Sequence, residues 1–240
     1  LERQLRNLGD VTVVAPLTEQ SGVGHSITYL TPLMARKVFT PAGQENAGRH
    51  RGWAVEGSPA DCVKLAVAEL CPQRPELVVS GINSGLNAGI NVLYSGTVAA
   101  AIEGAFFGVT SVAVSLEYDE DADYQSAAVI ARNVLGGIVR QPAAGGQLFN
   151  LNIPTAATET PKPVRVVPMG LDQYGRKYEK RQDPGGRDYY WALWSQPDRP
   201  PAEEADVTEL RRGNVTLTPL KFDLTDQDLV KTMPTWDLKT

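Results

Sequence analysis

Ser95-Gly96-Thr97 stands directly ahead of Val98-Ala99-Ala100-Ala101-Ile102-Glu103, a run of helix formers behind a capping residue. The first amides of such a helix have no intrahelical partner and lie at the positive end of its dipole, where anions, phosphate above all, are held well. The loop before it carries asparagines at 83, 87 and 91 and glycines at 81, 85 and 89. Asn offers a carbonyl oxygen and two N–H donors and tolerates tight turns. The bland alternative is that the glycines serve only turning and tight packing. Ser21, in the polar run 18–26, and Asn83 each fall at the carboxyl end of an expected strand. Both carry hard oxygen donors suited to Mg²⁺ or Mn²⁺. Neutral oxygens alone hold such a cation poorly, and Glu19 is the only acidic residue in either loop.

Other chemistries fit less well. Neither Ser80 nor Ser95 sits in a G-x-S-x-G turn, and the only histidines are His25 and His50. His50 reads as a solvated loop residue, and His25 stays open as a substrate contact near Ser21. Covalent serine catalysis is therefore disfavoured. No G-x-G-x-x-G follows the strand and no Gly-Lys-Ser/Thr is present, so the loop is neither a dinucleotide fingerprint nor a Walker loop.

The elements that must position these residues alternate along the chain. Strands are predicted at 11–15, at 77–79 ending abruptly at Ser80-Gly81, at 111–116 and at 148–154, with extended runs at 27–39 and 53–55. Ser58, Pro59 and Asp61 open one helix; residues 126–140 form another, weakened by Gly136-Gly137. This order describes a mostly parallel sheet covered on both faces, with its ligand site at the carboxyl edge. Beyond Thr155 the character changes. Short strands are predicted at 164–167 and 215–220 and a helical turn at 205–210. Charged residues 172–188 precede Tyr189-Tyr190-Trp191-Ala192-Leu193-Trp194, half of an exposed aromatic hairpin that expects a partner subunit. A loop is expected at 198–201. Leu1, Leu5 and Leu8 lie at helical spacing ahead of Gly9, the look of a βαβ unit whose first strand, roughly 15–20 residues with its loop, is cut away.

The bulk properties bound the partners. A 240-residue chain with 42% hydrophobic and 21% charged residues is an ordinary globular sequence, and a net charge of −5 argues against a nucleic-acid polymer as ligand. No apolar run approaches a membrane span. Cys62 and Cys71 form neither a disulfide framework nor a zinc spacing, which points to packing thiols in a reducing cytoplasm.

The motif SGINSGLNAG-x5-SGTVAAAIEG, together with APLTEQSGVGHSIT, VEGSPADCV, LNIP and VTLTPL, closely resembles the SurE family of survival-protein nucleotidases over about residues 5–222. The resemblance implies a Rossmann-like three-layer α/β sandwich, with residues 1–160 as the core and 161–240 as C-terminal strands and a hairpin arm. It implies a divalent-metal-dependent phosphomonoesterase acting on nucleoside 5′- and 3′-monophosphates, assembled as a homodimer or homotetramer through an exchanged arm. The metal ligands implied are Ser21 and Asn83; the phosphate-binding residues implied are Asn87, Ser95, Gly96 and Thr97. The family's first strand ends in Asn-Asp-Asp-Gly, whose aspartates ligate the metal and serve as base or nucleophile, and this sequence lacks that motif. The chain is then either a fragment of a larger product or a degenerate member; the expectation is a fragment with impaired turnover. The alternative is a non-catalytic phosphate- or nucleotide-binding protein.

Overall fold

A computed structural model describes residues 1–44, 46–141, 145–171, 177–193 and 202–238. The predicted loop 198–201, Trp194 and part of the charged stretch before the hairpin lie outside the described residues. Helix α1 (Glu2–Leu5) stops short of Gly9, and Leu1 and Leu5 pack on the main core. Strands β1 (Val14–Pro16), β2 (Ala35–Phe39) and β3 (His50–Val55) make a three-stranded sheet in the order β1-β3-β2. β3 runs parallel to β1 and antiparallel to β2. The extended run predicted over 27–39 is strand only in its last part. The Thr28 N–H and hydroxyl are spent on Asp61, each at 2.8 Å, rather than on a neighbouring strand. His50 is not a loop residue: it opens β3, with its ring 5.6 Å from Phe39 and 5.5 Å from Trp53.

Helix α2 (Pro59–Leu65) begins as its sequence dictates. Ser58 Oγ accepts from the Asp61 N–H at 3.1 Å while Asp61 accepts from the Ser58 N–H at 2.9 Å, a reciprocal cap that satisfies two orphan amides. A π turn, Ala66–Leu70, follows it. Strand β4 (Leu77–Ser84) does not end at Ser80 as predicted. It passes through Gly81 at φ +126°, where a Cβ would run into the Val114 carbonyl, and its register shifts before Asn83. A 3₁₀ turn, Gly89–Tyr94, leads to α3 (Gly96–Phe106) and β5 (Thr110–Leu116). Then come α4 (Tyr124–Val139), β6 (Leu148–Ile153), α5 (Thr155–Glu159) and β7 (Val164–Val166). The hairpin β8 (Lys177–Gln182) and β9 (Asp188–Leu193) precedes α6 (Asp206–Arg211), β10 (Val215–Leu220) and α7 (Gln227–Thr232).

The main sheet has the order β4-β5-β6-β10-β7, parallel except where β10 meets β6. The fold is thus α/β with a mixed, mostly parallel sheet and a separate two-stranded hairpin. Val112, Val114, Leu116, Leu151 and Ile153 are fully buried beneath α4, each contributing roughly 1.5–3 kcal/mol by its burial. That face holds α4 through Gly136-Gly137 without a break; packing overrides propensity there. The opposite face lies under α3 and is partly polar, with Ser111, Ser115, Asn150, Asn152, Thr216 and Thr218 all buried. α3 sits low on this face because Gly104 has no side chain to meet Ser111 and Val78. β1 and β4, the end strands of the two sheets, both line one cleft of about 410 Å³.

Candidate phosphate site at the start of helix α3

Ser95 caps α3: its Oγ accepts from the Val98 N–H at 3.2 Å, and its carbonyl takes the Ala99 N–H at 3.0 Å. The amides of Gly96 and Thr97 remain without a helical acceptor and point out of the N-terminus with the dipole behind them. Gly96 is a packing necessity, since a Cβ there would come within 3.0 Å of Val23 and 3.1 Å of Pro59. Thr97 lines the cleft between β1 and β4, and Asn83 lines the same cleft from the end of β4. The Asn83 Nδ2 group donates to the carbonyls of Gly85 at 2.7 Å and Ser84 at 3.2 Å. With Nδ2 so engaged, Oδ1 is the atom left to meet a ligand.

Asn87 faces inward. Its N–H donates to Asn152 Oδ1 at 2.8 Å, its Nδ2 donates to Ser115 Oγ at 2.8 Å, and its carbonyl accepts from Asn150 Nδ2 at 2.7 Å. It anchors the loop to the polar sheet face. Ser21 is exposed and does not line the cleft of Asn83 and Thr97. Its loop is nevertheless tied to the same helix start: the Gly24 N–H donates to the Tyr94 carbonyl at 3.0 Å. His25, four residues on, turns away from the cleft. Its Nε2 lies 2.7 Å from Glu103 Oε1, and its ring stacks on Phe106 at 5.8 Å. Lys64 Nζ reaches the other Glu103 oxygen at 3.2 Å. The buried Glu103 therefore fixes the Ser21 loop to α3 through His25. Sequence reading missed the inward asparagines 150 and 152 and this His–Glu–Lys cluster. The signal for the first was present in Leu148–Ile153: polar residues alternate with apolar ones on a strand buried on both faces.

Burial works against a nucleophilic thiolate at either cysteine. Cys62 lines the cleft, but burial, with the charge of Asp61 beside it, pushes its thiol up to about 12. Burial also raises Cys71.

A family profile described as "Survival protein SurE" matches residues 1–176. The chain belongs to the SurE family. It is similar over its whole length to a "5'-nucleotidase SurE" of Rhodopirellula baltica, at 69% identity, covering 92% of that protein. A protein of the same name from Heliobacterium modesticaldum is 41% identical over 95% of this chain and 82% of its own. The crystal structure of the SurE protein from Aquifex aeolicus superposes with a TM-score of 0.83 at 34% identity, covering 97% of this chain and 90% of that one. The cleft at the carboxyl end of β4 is thus part of a SurE fold.

Among the described residues, no group of three or more His, Cys, Asp or Glu side chains is placed to hold a metal. Glu2, which lines the cleft, is paired with Arg6 and Arg51, and other carboxylates of the core are engaged as well: Asp61 by Thr28 and Ser58, Glu103 by His25 and Lys64, Glu117 by Thr155. Asn83 and Ser21 supply neutral oxygens only. The described residues do not by themselves complete a divalent site.

Proposed function

We propose that the chain is a phosphomonoesterase of the 5′-nucleotidase type, hydrolysing nucleoside 5′- and 3′-monophosphates to nucleoside and phosphate. The observation that carries this reading is the placement of Thr97 and Asn83 in one cleft at the capped start of α3. The phosphoryl oxygens lie against the Gly96 and Thr97 amides and the Thr97 hydroxyl, where the helix dipole offsets the charge that develops during transfer. Ser95 organises these donors, and Asn87 holds the loop that leads to them. The names of the similar proteins from Rhodopirellula baltica and Heliobacterium modesticaldum support the same activity.

A divalent cation, Mg²⁺ or Mn²⁺, would supply Lewis acidity at the phosphoryl group in this reading. Asn83 Oδ1 would be a neutral ligand to it, with Ser21 Oγ reaching it only from a loop outside the Asn83 cleft, and the carboxylates it needs would come from outside the described residues. Oligomerisation also belongs to the proposal. Tyr178, Tyr190 and Trp191 are more than half exposed on the β8–β9 arm, a surface fit to be covered by a second copy.

Phosphate release from a nucleoside 5′-monophosphate, measured with Mn²⁺ and again with excess chelator, tests the reading. Metal-dependent release is expected. Release indifferent to chelator overturns the metal assignment. Phosphate binding without release favours the non-catalytic reading.

A further inference from the structure

Asp206 is fully buried, and among the described residues its carboxylate accepts from three backbone N–H groups. Oδ2 accepts from Gly89 at 2.9 Å; Oδ1 accepts from Gly170 at 2.9 Å and from Val207 at 2.7 Å. Its own N–H donates to the Pro168 carbonyl at 3.0 Å. One carboxylate thus joins the loop before β8, the start of α6 and the 3₁₀ turn that carries the chain from Asn87 to Ser95. Gly89 is the first residue of that turn, at φ +57°, and a Cβ on it would come within 3.0 Å of Val207 and 3.4 Å of the Gly170 carbonyl. The turn is therefore pressed onto α6 by shape as well as by charge. At its other end the turn hands over to the Ser95 cap, two residues before Thr97.

We propose that Asp206 is a positioning residue for phosphate binding: its carboxylate clamps Gly89 and so fixes the turn that sets Asn87 and the α3 amides in place. The proposal rests on the phosphate-cradle reading of α3. A carboxylate suits the task because hydrogen bonds to a charged acceptor are roughly twice as strong as neutral ones, and the two oxygens hold two loops at once. An amide in its place would turn an N–H₂ group toward one of these N–H donors.

The test compares Asp206→Asn with Leu210→Ala, which opens a cavity in the same short helix and leaves the clamp intact. Amide hydrogen exchange of residues 85–95 and calorimetric binding of inorganic phosphate with Mn²⁺ are the two readouts. Asp206→Asn is expected to speed exchange in this segment by about tenfold or more and to weaken phosphate by a similar factor. Leu210→Ala lowers thermal stability and changes phosphate binding by less than roughly twofold. Unchanged exchange in Asp206→Asn overturns the proposal. So does faster exchange with unaltered phosphate binding, or a loss of phosphate binding in both variants that follows their loss of stability. If Asp206→Asn does not fold, the unsubstituted protein decides: Gly89 and Gly170 amides protected alike support the clamp, and rapid exchange at Gly89 overturns it. Failure of the unsubstituted protein to bind phosphate strikes the cradle itself, and it is read before any variant is made.

Discussion

At the scale of single residues, Thr97 and Ser95 divide two tasks that look alike in the sequence. Ser95 Oγ is committed to the Val98 amide, whereas Thr97 reaches the cleft. Thr97→Val is expected to weaken inorganic phosphate, titrated by calorimetry in the presence of Mn²⁺, about tenfold, the value of one lost hydrogen bond of roughly 1.4 kcal/mol. An unchanged affinity would reduce the loop's glycines and threonine to packing alone. Packing does account for Gly96, wedged against Val23 and Pro59. The chemistry of the helix start was legible because capping and dipole are local properties. The inward turn of Asn87 was not, because its partners Ser115, Asn150 and Asn152 lie at least 28 positions away in the chain.

At the scale of elements, the Ser58–Asp61 cap could be read directly from Gly57-Ser58-Pro59-Ala60-Asp61, but its second duty could not. Asp61 also binds the Thr28 N–H and hydroxyl, so it ties the end of the Ser21 loop to α2. Burial works against its charge, yet the hydrogen bonds from Thr28 and Ser58 prevail and hold its carboxyl below the usual carboxylate value. A lowered folded-state pKa contributes stability that is present above the unfolded value and is lost as pH falls through the folded one. Asp61→Asn should therefore cost about 1–2 kcal/mol near neutral pH and flatten the acid limb of a stability-against-pH curve measured by urea unfolding. The same loop explains why the strand expected over 27–39 shortens: periodicity recorded β-prone residues, but a buried carboxylate 33 positions away claimed the backbone. β4 erred in the other direction. Gly81 looks like a terminator, and it proves to be the point where a strand crosses close to Val114 and continues to Asn83.

For the whole molecule, the alternation of strands and helices foretold a mostly parallel sheet, while its mixed character and strand order had to come from the structure. The placement of β10 between β6 and β7 depends on pairings across the C-terminal half that no local pattern encodes. The hairpin was legible because exposed aromatics at β spacing need a cover. Trp191→Asp is expected to shift the sedimentation profile toward smaller species by introducing a charge into the proposed contact, with the secondary structure of the core retained; an unchanged profile places the contact elsewhere. Among the described residues, no helix is long and apolar enough to cross a membrane. The seat of Gly96 between Val23 and Pro59 has one more consequence. Three segments distant in the chain meet there in close contact, so the Ser21 loop, α2 and α3 are mechanically coupled, and a side chain added at that single position would push all three apart together.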